Sequence, residues 1–268
     1  GVPMIQTNAE VLWNQAVAPA CYRMGLACDG QLTRARPGQF VMLRPSAQLS
    51  PLLRRPFSIH GLLNTEKGVG GIQILYKVVG EGTRLLARLG AGSPLDVLGP
   101  LGSRFRMARP GQRIVLAAGG IGVAPLTFLA SELIAGGCDP GHVTVFIGGR
   151  SRAELLCRQD FEALGIAVHL TTDDGSAGDA CLVTHPLEAS VARRPPDILY
   201  ACGPSAMLAC IVGIAGKFGV PCQVSIESRM ACGMGACLGC AVAARQPGER
   251  FLHACLDGPV LDAAQLQF

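Results

Sequence analysis

Residues 114–125 read Ile-Val-Leu-Ala-Ala-Gly-Gly-Ile-Gly-Val-Ala-Pro, and this stretch is the strongest indication of the fold. Its five leading apolar residues predict a buried strand, the glycines predict a tight turn, and apolar residues at 126, 129, 130, 133 and 134 fall on one face of a helix. Such a turn directs backbone N–H groups at a phosphate. It is not the Gly-x-Gly-x-x-Gly fingerprint, because Pro125 replaces the third glycine, and it can also be purely structural.

Strands and helices alternate downstream of this stretch. Further strands are predicted at residues 143–147, 166–170 and 197–201. Ser151 and Glu154 have the spacing of a capping box for the helix after the first of these strands. Cys202-Gly203-Pro204 leads from the last strand into another helix. The alternation predicts a parallel sheet, whose ligands bind at the carboxyl ends of its strands.

Upstream, from about Val11 to Gly102, short apolar runs are separated by Gly and Pro. The clearest runs cover residues 39–43, 71–79 and 94–98. Short strands at regular spacing predict an antiparallel barrel or a sandwich.

Cys232, Cys237 and Cys240, with Cys255 further along, have the spacing of plant-type ferredoxins, in which four thiolates hold a [2Fe-2S] cluster. Gly233 gives the loop between them backbone freedom, as does Gly235. A zinc site is the alternative, although zinc sites with four cysteines usually show two close pairs. The other eight cysteines are scattered singly, and most of them are expected to be small buried residues in a reducing cytoplasm.

Composition excludes several classes of function. The net charge of +4 is modest and the basic residues form no runs, so no nucleic-acid partner is indicated. The chain has no apolar stretch long enough for a membrane span and no signal-peptide pattern at its start, so we expect a cytoplasmic protein.

Arg55-Pro56-Phe57-Ser58, followed by the Gly82-Thr83 turn, resembles the flavin-binding half of the ferredoxin–NADP reductase superfamily. That superfamily also carries a Gly-Gly-x-Gly-x-Ala-Pro turn and a later Cys-Gly-Pro in its nicotinamide domain. The resemblance implies a mixed β and α/β chain with three parts. These are an antiparallel FAD-binding β-barrel at residues 1–103, a parallel-sheet α/β NAD-binding domain at 104–222 and a small [2Fe-2S] module at 223–268.

The same resemblance implies roles for individual residues. Arg55 would hold a flavin phosphate by a charge-assisted bond, Ser58 would lie near the redox edge of the flavin ring, and Cys202 would lie close to the nicotinamide. We expect Ser58 and Cys202 to be catalytic. The remaining predicted cofactor contacts are Pro56, Phe57, Leu75, Tyr76, Lys77, Gly82 and Thr83 on the flavin side, and Gly119, Gly120, Gly122, Ala124, Pro125, Gly203 and Pro204 on the nicotinamide side.

Asp173 and Asp174 end another predicted strand, where reductases of this superfamily recognise the adenosine ribose. Two carboxylates there would repel a 2′-phosphate and accept ribose hydroxyls, which predicts NADH in preference to NADPH. Asp-Asp-Gly is also simply a good turn sequence.

The order of the three modules, the run from Glu227 to Cys240 and residues 255–260 together resemble the electron-transfer subunits of class B dihydroorotate dehydrogenase. This resemblance covers nearly the whole chain and implies FAD, one [2Fe-2S] cluster, NAD and an FMN-containing catalytic subunit as partner in a heterotetramer. Electrons from dihydroorotate oxidation in pyrimidine biosynthesis would pass through the cluster and FAD to NAD⁺. Residues 61–71 look slightly longer than this family needs.

Two alternatives are open. One is a reductase subunit of a sulfhydrogenase-type or electron-bifurcating ferredoxin oxidoreductase complex, some of which replace the first cluster thiolate with Asp, whereas Cys232 is present here. The other is a non-catalytic redox sensor with the same domains. NADH-dependent turnover of an artificial acceptor would argue against the sensor.

Overall fold

The structure, a computed structural model, describes residues 4–28, 30–46, 48, 50–66, 68–245 and 251–268. The strands are β1 Ile5–Ala18, β2 Cys21–Ala27, β3 Phe40–Arg44, β4 Arg55–Thr65, β5 Gly68–Lys77, β6 Pro94–Leu101, β7 Ile114–Gly119, β8 Val143–Gly149, β9 Ala167–Thr172, β10 Ile198–Cys202, β11 Cys222–Ser225, β12 Ala241–Ala243, β13 Phe251–His253 and β14 Val260–Asp262. The α-helices are α1 Glu81–Leu86, α2 Val123–Ala135, α3 Arg158–Ala163, α4 Thr184–Arg193 and α5 Ser205–Phe218.

The first six strands close into an antiparallel barrel in the order β1-β2-β5-β4-β3-β6. Of the two predicted architectures, the barrel is therefore the observed one. Side chains alternate between the two faces of each strand, and on β3 this places Val41 and Leu43 in the barrel core while Phe40 and Met42 point outward. The outward side chains of β3, with Leu98 and Leu101 of β6, pack against the rest of the chain, whereas the outward face of β1 is largely exposed.

The second sheet has the order β14-β11-β10-β7-β8-β9 and is parallel except for β14, which pairs antiparallel with β11. All six residues of β7 are buried, because helices cover both faces of the sheet. Val115 and Ala117 pack in the apolar group that includes α4 and α5, and Leu116 packs in the group that includes α2 and α3. The apolar run that predicted a buried strand thus belongs to the centre of a parallel sheet.

The predicted capping box at Ser151 and Glu154 is wrong. Residues 152–154 form a short 3-10 turn, Ser151 makes no capping hydrogen bond, and the next α-helix starts only at Arg158. The Glu154 carboxylate instead accepts hydrogen bonds from Arg150 and from Lys77 of the barrel. The Glu154 side chain, which the local pattern assigned to a helix cap, therefore forms ion pairs instead, one of them with the distant Lys77.

The segment after β11 forms the two-stranded pair β12–β13 and then returns to the second sheet as β14. Strand β11 spans the predicted limit between residues 222 and 223. The stretch 61–71 is the end of the β4–β5 hairpin, closed by a hydrogen bond from the Thr65 hydroxyl to the Gly68 carbonyl at 2.8 Å, with residue 67 outside the described residues. No helix in the described ranges is long and apolar enough to cross a membrane.

Candidate active site and metal centre

A cleft of about 340 Å³ lies between the outward face of the barrel and the carboxyl ends of β7 and β10. Its volume is at the lower end of the range for small-molecule sites. Most of the predicted cofactor residues line it together, namely Arg55, Pro56, Phe57, Ser58, Leu75, Tyr76, Lys77, Thr83, Gly122, Ala124, Pro125 and Cys202. The predicted residues outside this lining are Gly82, Gly119, Gly120, Asp173, Asp174, Gly203 and Pro204.

Two glycines bring the predicted nicotinamide turns into contact. A Cβ at Gly122 would stand 2.5 Å from the Cys202 carbonyl oxygen, and a Cβ at Gly119 would stand 2.8 Å from Pro204 Cδ. Only glycine permits this approach of backbone to backbone. The turn before α2 and the Cys202-Gly203-Pro204 turn therefore form one surface, although about eighty residues separate them along the chain.

Arg55 is the candidate phosphate-binding residue on the barrel. Its guanidinium donates to the main-chain carbonyls of Leu53 at 2.6 Å and Arg54 at 3.3 Å, and within the described residues no carboxylate forms an ion pair with it. A Cβ at Gly82 would stand 3.3 Å from Arg55 Nε, so this glycine leaves room for the arginine. An arginine held by carbonyls, with its charge uncompensated, suits a phosphate.

Thr83 organises the start of α1. Its hydroxyl accepts from the backbone N–H of Val79 at 2.9 Å and of Gly80 at 3.1 Å, and it donates to the Gly80 carbonyl at 3.0 Å. The hydroxyl is therefore occupied within its own turn, of which Val79 and Thr83 line the cleft.

Tyr76 separates the cleft from the barrel core. It is almost fully buried, its ring stacks on Tyr22 and meets Phe57 edge-on, and its hydroxyl donates to Asn14 Oδ1 at 3.0 Å. Burial raises the pKa of Tyr76 to about 12, so the phenol is neutral at physiological pH. The wall of the cleft at this point is rigid and uncharged.

Lys77 lies between the two domains. Its ammonium is 2.9 Å from Glu154 Oε1, and Glu154 also binds the Arg150 guanidinium at 2.6 Å. Hydrogen bonds from Arg150, and after them the one from Lys77, lower the pKa of Glu154 to about 2. The lysine that was predicted to line the cofactor thus also ties the barrel to the nucleotide domain.

Ser58 and Cys202, the predicted catalytic pair, stand on different walls of the cleft. Ser58 is on β4, paired with Phe40 of β3, and Cys202 ends β10 beside Ser225 of β11. Burial is the main cause that raises the pKa of Cys202 to about 12. The thiol is therefore neutral, and the site presents a small apolar sulfur instead of a thiolate.

Eight lining residues were not among the predicted contacts, and they are Phe40, Val79, Ile121, Ile226, Glu227, Ser228, Met230 and Pro259. Glu227, Ser228 and Met230 lie in the run that carries the family resemblance, and that position was a usable signal. Glu227 is exposed to the open cleft, but the surrounding protein desolvates its carboxyl and raises its pKa. Pro259 lies in residues 255–260, which also carry the family resemblance, but its place in the cleft depends on the fold of that segment.

Asp173 and Asp174 lie at the carboxyl end of β9, in a turn closed by Gly175 at φ +70°. Asp174 Oδ1 accepts from the Ser176 backbone N–H at 2.9 Å, and hydrogen bonds from Ser176 lower the pKa of Asp174. The carboxylate is therefore ionised at neutral pH. Arg150, which follows β8 at the same edge of the sheet, is engaged by Glu154.

The four candidate cluster ligands lie in and around the cluster loop, residues 232–240. The Cys240 sulfur is 3.2 Å from the Cys255 sulfur and both residues are buried, whereas Cys237 is exposed. The backbone N–H groups of Met234 and Cys237 each lie 3.4 Å from the Cys232 sulfur. These N–H groups, Met234 first, lower the pKa of Cys232 to about 6, which favours the thiolate that binds metal.

The arrangement fits a two-iron cluster. Within the described residues no three His, Cys, Asp or Glu side chains converge on one point as ligands of a single ion. A [2Fe-2S] cluster takes two thiolates on each of its two irons, and the Cys240 and Cys255 sulfurs are one such close pair. Gly233 and Gly235 have φ of +71° and +84°, the left-handed conformation that lets the loop curl and point N–H groups inward.

Comparison with known families agrees with this geometry. The model of the iron-sulfur cluster binding domain of dihydroorotate dehydrogenase B matches residues 227–267, and that of the oxidoreductase NAD-binding domain matches residues 116–212. The dihydroorotate dehydrogenase B (NAD(+)) electron transfer subunit of Desulforamulus reducens is 39% identical over 97% of both chains. Its counterpart in Bacillus caldolyticus is 39% identical over 90% of this chain and 91% of its own.

Solved structures show the same fold. An NADH-dependent reduced ferredoxin-NADP oxidoreductase, studied for flavin-based electron bifurcation, superposes with a TM-score of 0.82 and 28% identity, over 97% of this chain and 89% of that chain. A ferredoxin NADP⁺ reductase from Neisseria gonorrhoeae, solved with bound FAD and NADP, has a TM-score of 0.63 over 80% of this chain and 92% of its own, at 14% identity. The second likeness concerns the fold alone.

Proposed function

Since this chain belongs to the family of dihydroorotate dehydrogenase B electron transfer subunits, we propose that it carries electrons from an FMN-containing catalytic subunit through a [2Fe-2S] cluster and FAD to NAD⁺. The observation that carries this proposal is the composition of the cleft. One wall is the barrel, one is the nucleotide domain, and Met230 and Pro259 come from the segment that holds the cluster cysteines. A flavin in this cleft contacts all three parts.

When bound, FAD supplies the exchange between a nicotinamide, which transfers two electrons together, and a cluster that takes one. The residues of the chain do the rest. Arg55 binds a flavin phosphate, and the turn before α2 holds a nicotinamide dinucleotide with its backbone N–H groups. Pro56 and Ser58 face the cleft from β4, and the buried Tyr76 behind them excludes water.

Cys202 positions the nicotinamide in this proposal. Because its thiol is buried and neutral, it can neither attack the ring nor take a proton from it at physiological pH. A small sulfur at the end of β10 leaves space for a flat ring between this strand and β4. Ser58, the last residue of the Arg55–Ser58 motif, faces the cleft from the opposite wall and offers its hydroxyl to the flavin ring.

The partner surface follows from the exposure of the cluster loop. Cys237 is exposed, and Met234, Leu238 and Leu256 beside it are 43, 55 and 55% exposed. Exposed apolar side chains grouped around a redox centre are typical of a docking surface. We propose that the FMN-containing subunit binds here, so that its flavin approaches the cluster, in the heterotetramer expected for this family.

The test is to purify the chain with its catalytic subunit and to measure dihydroorotate-dependent NAD⁺ reduction. Replacing Cys240→Ser removes a cluster ligand and should abolish this activity, while NADH-dependent reduction of an artificial acceptor through FAD persists. Cys210→Ser, an exposed cysteine on α5, is the matched control and should leave both activities intact. Absence of dihydroorotate activity in a complex with intact flavin and cluster spectra would refute the proposal.

A reductase subunit of an electron-bifurcating complex is the second candidate. It is supported by the likeness, at 28% identity, to the NADH-dependent reduced ferredoxin-NADP oxidoreductase. The two candidates differ in the partner, so co-purification separates them. Turnover with reduced ferredoxin and NADP⁺, without activity on dihydroorotate, would establish the second.

Two further features belong to the proposal. All twelve cysteines lie in the described part of the chain and none is paired in a disulfide, which supports a reducing compartment such as the cytoplasm. We also propose functional segments at residues 1–103, 104–222 and 223–268, with β14 of the last segment completing the sheet of the second.

A further inference from the structure

Strand β3 has one face in each of two packed regions. Val41 and Leu43 belong to the apolar interior of the barrel, whereas Phe40 and Met42 belong to a different apolar group. That second group also contains Cys240, Ala254 and Cys255 from the cluster segment, and Leu98 and Leu101 from β6. The cluster segment therefore packs against the outward face of β3.

Met42 packs directly against the cluster loop at Gly233. It is fully buried, and a Cβ at Gly233 would stand 2.6 Å from its Cγ and 2.8 Å from its Sδ. Gly233 directly follows the cluster ligand Cys232 and has φ of +71°, so both the conformation and the close approach require glycine. The loop has no side chain at this position because Met42 fills the space.

On its other side, Met42 adjoins the flavin strand. It pairs with Pro56 in the antiparallel β3–β4 ladder, and the neighbouring Phe40 pairs with Ser58. Pro56, Ser58 and Phe40 all line the cleft. Met42 thus contacts Gly233, the neighbour of the cluster ligand Cys232, on one side. On the other side it pairs with Pro56, which lines the cleft.

A second contact keeps this arrangement in place. The Ser103 backbone N–H donates to the Gly258 carbonyl at 2.6 Å, and its hydroxyl donates to the Val260 carbonyl at 2.7 Å. These bonds clamp the chain that follows Cys255 onto the end of β6. The chain after Cys255 is therefore fixed to the barrel, and Met42 supports the cluster loop itself at Gly233.

We propose that Met42 is a positioning residue for electron transfer, whose side chain sets the separation between the cluster and the flavin cleft. The inference rests on the proposed function, since it requires both groups to be present. In the proposed direction of flow the reduced cluster would lose one electron in each step as the flavin gains one, and NADH drives the same transfer in reverse. No bond forms or breaks across the contact and no proton crosses it.

The test mixes NADH with the chain loaded with FAD and cluster, in the absence of oxygen, and follows flavin reduction and then cluster reduction by rapid-mixing absorbance. Met42→Ala should slow the second phase several-fold and leave the first unchanged, because the loop loses its support while the nicotinamide site does not. Met42→Leu retains most of the side-chain volume, so its rate of cluster reduction should lie between those of the wild type and Met42→Ala. Met24→Ala, equally buried but inside the barrel, is the matched control and should leave both phases unchanged.

A measurement on the cluster-free chain separates positioning from general stability. In the cluster-free chain, hydrogen exchange across residues 228–240 should rise in Met42→Ala and not in Met24→Ala. In the loaded chain, the EPR signal of the reduced cluster reports whether the cluster is intact. An unchanged second phase in Met42→Ala with that signal intact would overturn the inference. If the alanine variant loses its cluster, an unchanged second phase in Met42→Leu would overturn it instead. If NADH fails to reduce the wild-type cluster at all, the proposed function itself fails.

Discussion

At the scale of single residues, charge at the edge of the nucleotide sheet sets the expected coenzyme preference. Asp174 is held as a carboxylate by Ser176, and Arg150, the cation at the same edge, is bound by Glu154. We expect the chain to use NADH in preference to NADPH. In Asp173→Asn/Asp174→Asn, the ratio of kcat/KM for NADPH to that for NADH should rise about tenfold, the effect of roughly 1.4 kcal/mol of relieved repulsion.

The control for this prediction is Asp139→Asn, which removes the same charge at the start of β8, on the opposite edge of the sheet. Its coenzyme ratio should equal that of the wild type. A wild-type protein with comparable kcat/KM for both coenzymes would show that Asp-Asp-Gly serves here only as a turn.

At the scale of elements, the contact between the β7–α2 turn and the end of β10 shapes the wall of the cleft where we propose that the nicotinamide binds. A methyl group at Gly122 would collide with the Cys202 carbonyl, which is backbone and cannot rotate away. Gly122→Ala should therefore lower the free energy of unfolding by about 1–3 kcal/mol, the usual cost of overpacking, and raise the Kd for NADH. Chemical denaturation and NADH titration of the FAD-loaded chain measure the two effects.

The matched substitution is Gly213→Ala on α5, where a new Cβ meets nothing within 4 Å. Alanine is the better helix former, so this variant should gain about 0.5–1 kcal/mol and bind NADH normally. Equal effects of the two substitutions would contradict a specific role for the turn.

At the scale of the whole molecule, the Lys77–Glu154 pair joins the barrel to the nucleotide domain across the cleft. Glu154→Gln should lower the free energy of unfolding at pH 7 by about 1 kcal/mol, as for other partly exposed ion pairs. The pKa of Glu154 is lowered in the folded state to about 2, so its contribution is complete above the ordinary glutamate pKa and is lost as the pH falls through about 2.

Thermal unfolding between pH 2 and pH 7 measures this difference. The wild-type and Glu154→Gln curves should converge toward the acid end and separate above pH 5. Glu188→Gln, which breaks the more exposed Lys217–Glu188 pair between α5 and α4, serves as the comparison and should have a smaller effect. A constant offset at all pH values would mean that the carboxylate charge is not responsible.

The sequence by itself determined the features that depend on neighbours along the chain. The apolar run and glycines at 114–125 form a strand, a turn and a helix, and the cysteines at 232–240 lie in a segment that matches an iron-sulfur cluster binding domain, because periodicity and cysteine spacing are local properties. The Cys202 turn follows the predicted strand for the same reason, whereas Arg55–Ser58 was placed on a barrel strand by the family resemblance and lies at the start of β4.

Only the tertiary structure decided which distant segments meet. Glu154, which the local pattern assigned to a helix cap, binds Lys77 because the barrel packs against the nucleotide domain, chiefly through β4 and α2, and β14 joins a sheet that begins almost 150 residues earlier. In the sequence Met42 looks like any other strand residue, and only the fold brings Gly233 against it. Pro259 lines the cleft because Ser103 binds the neighbouring backbone. These contacts depend on burial and close approach between remote residues, which no local pattern in the sequence encodes.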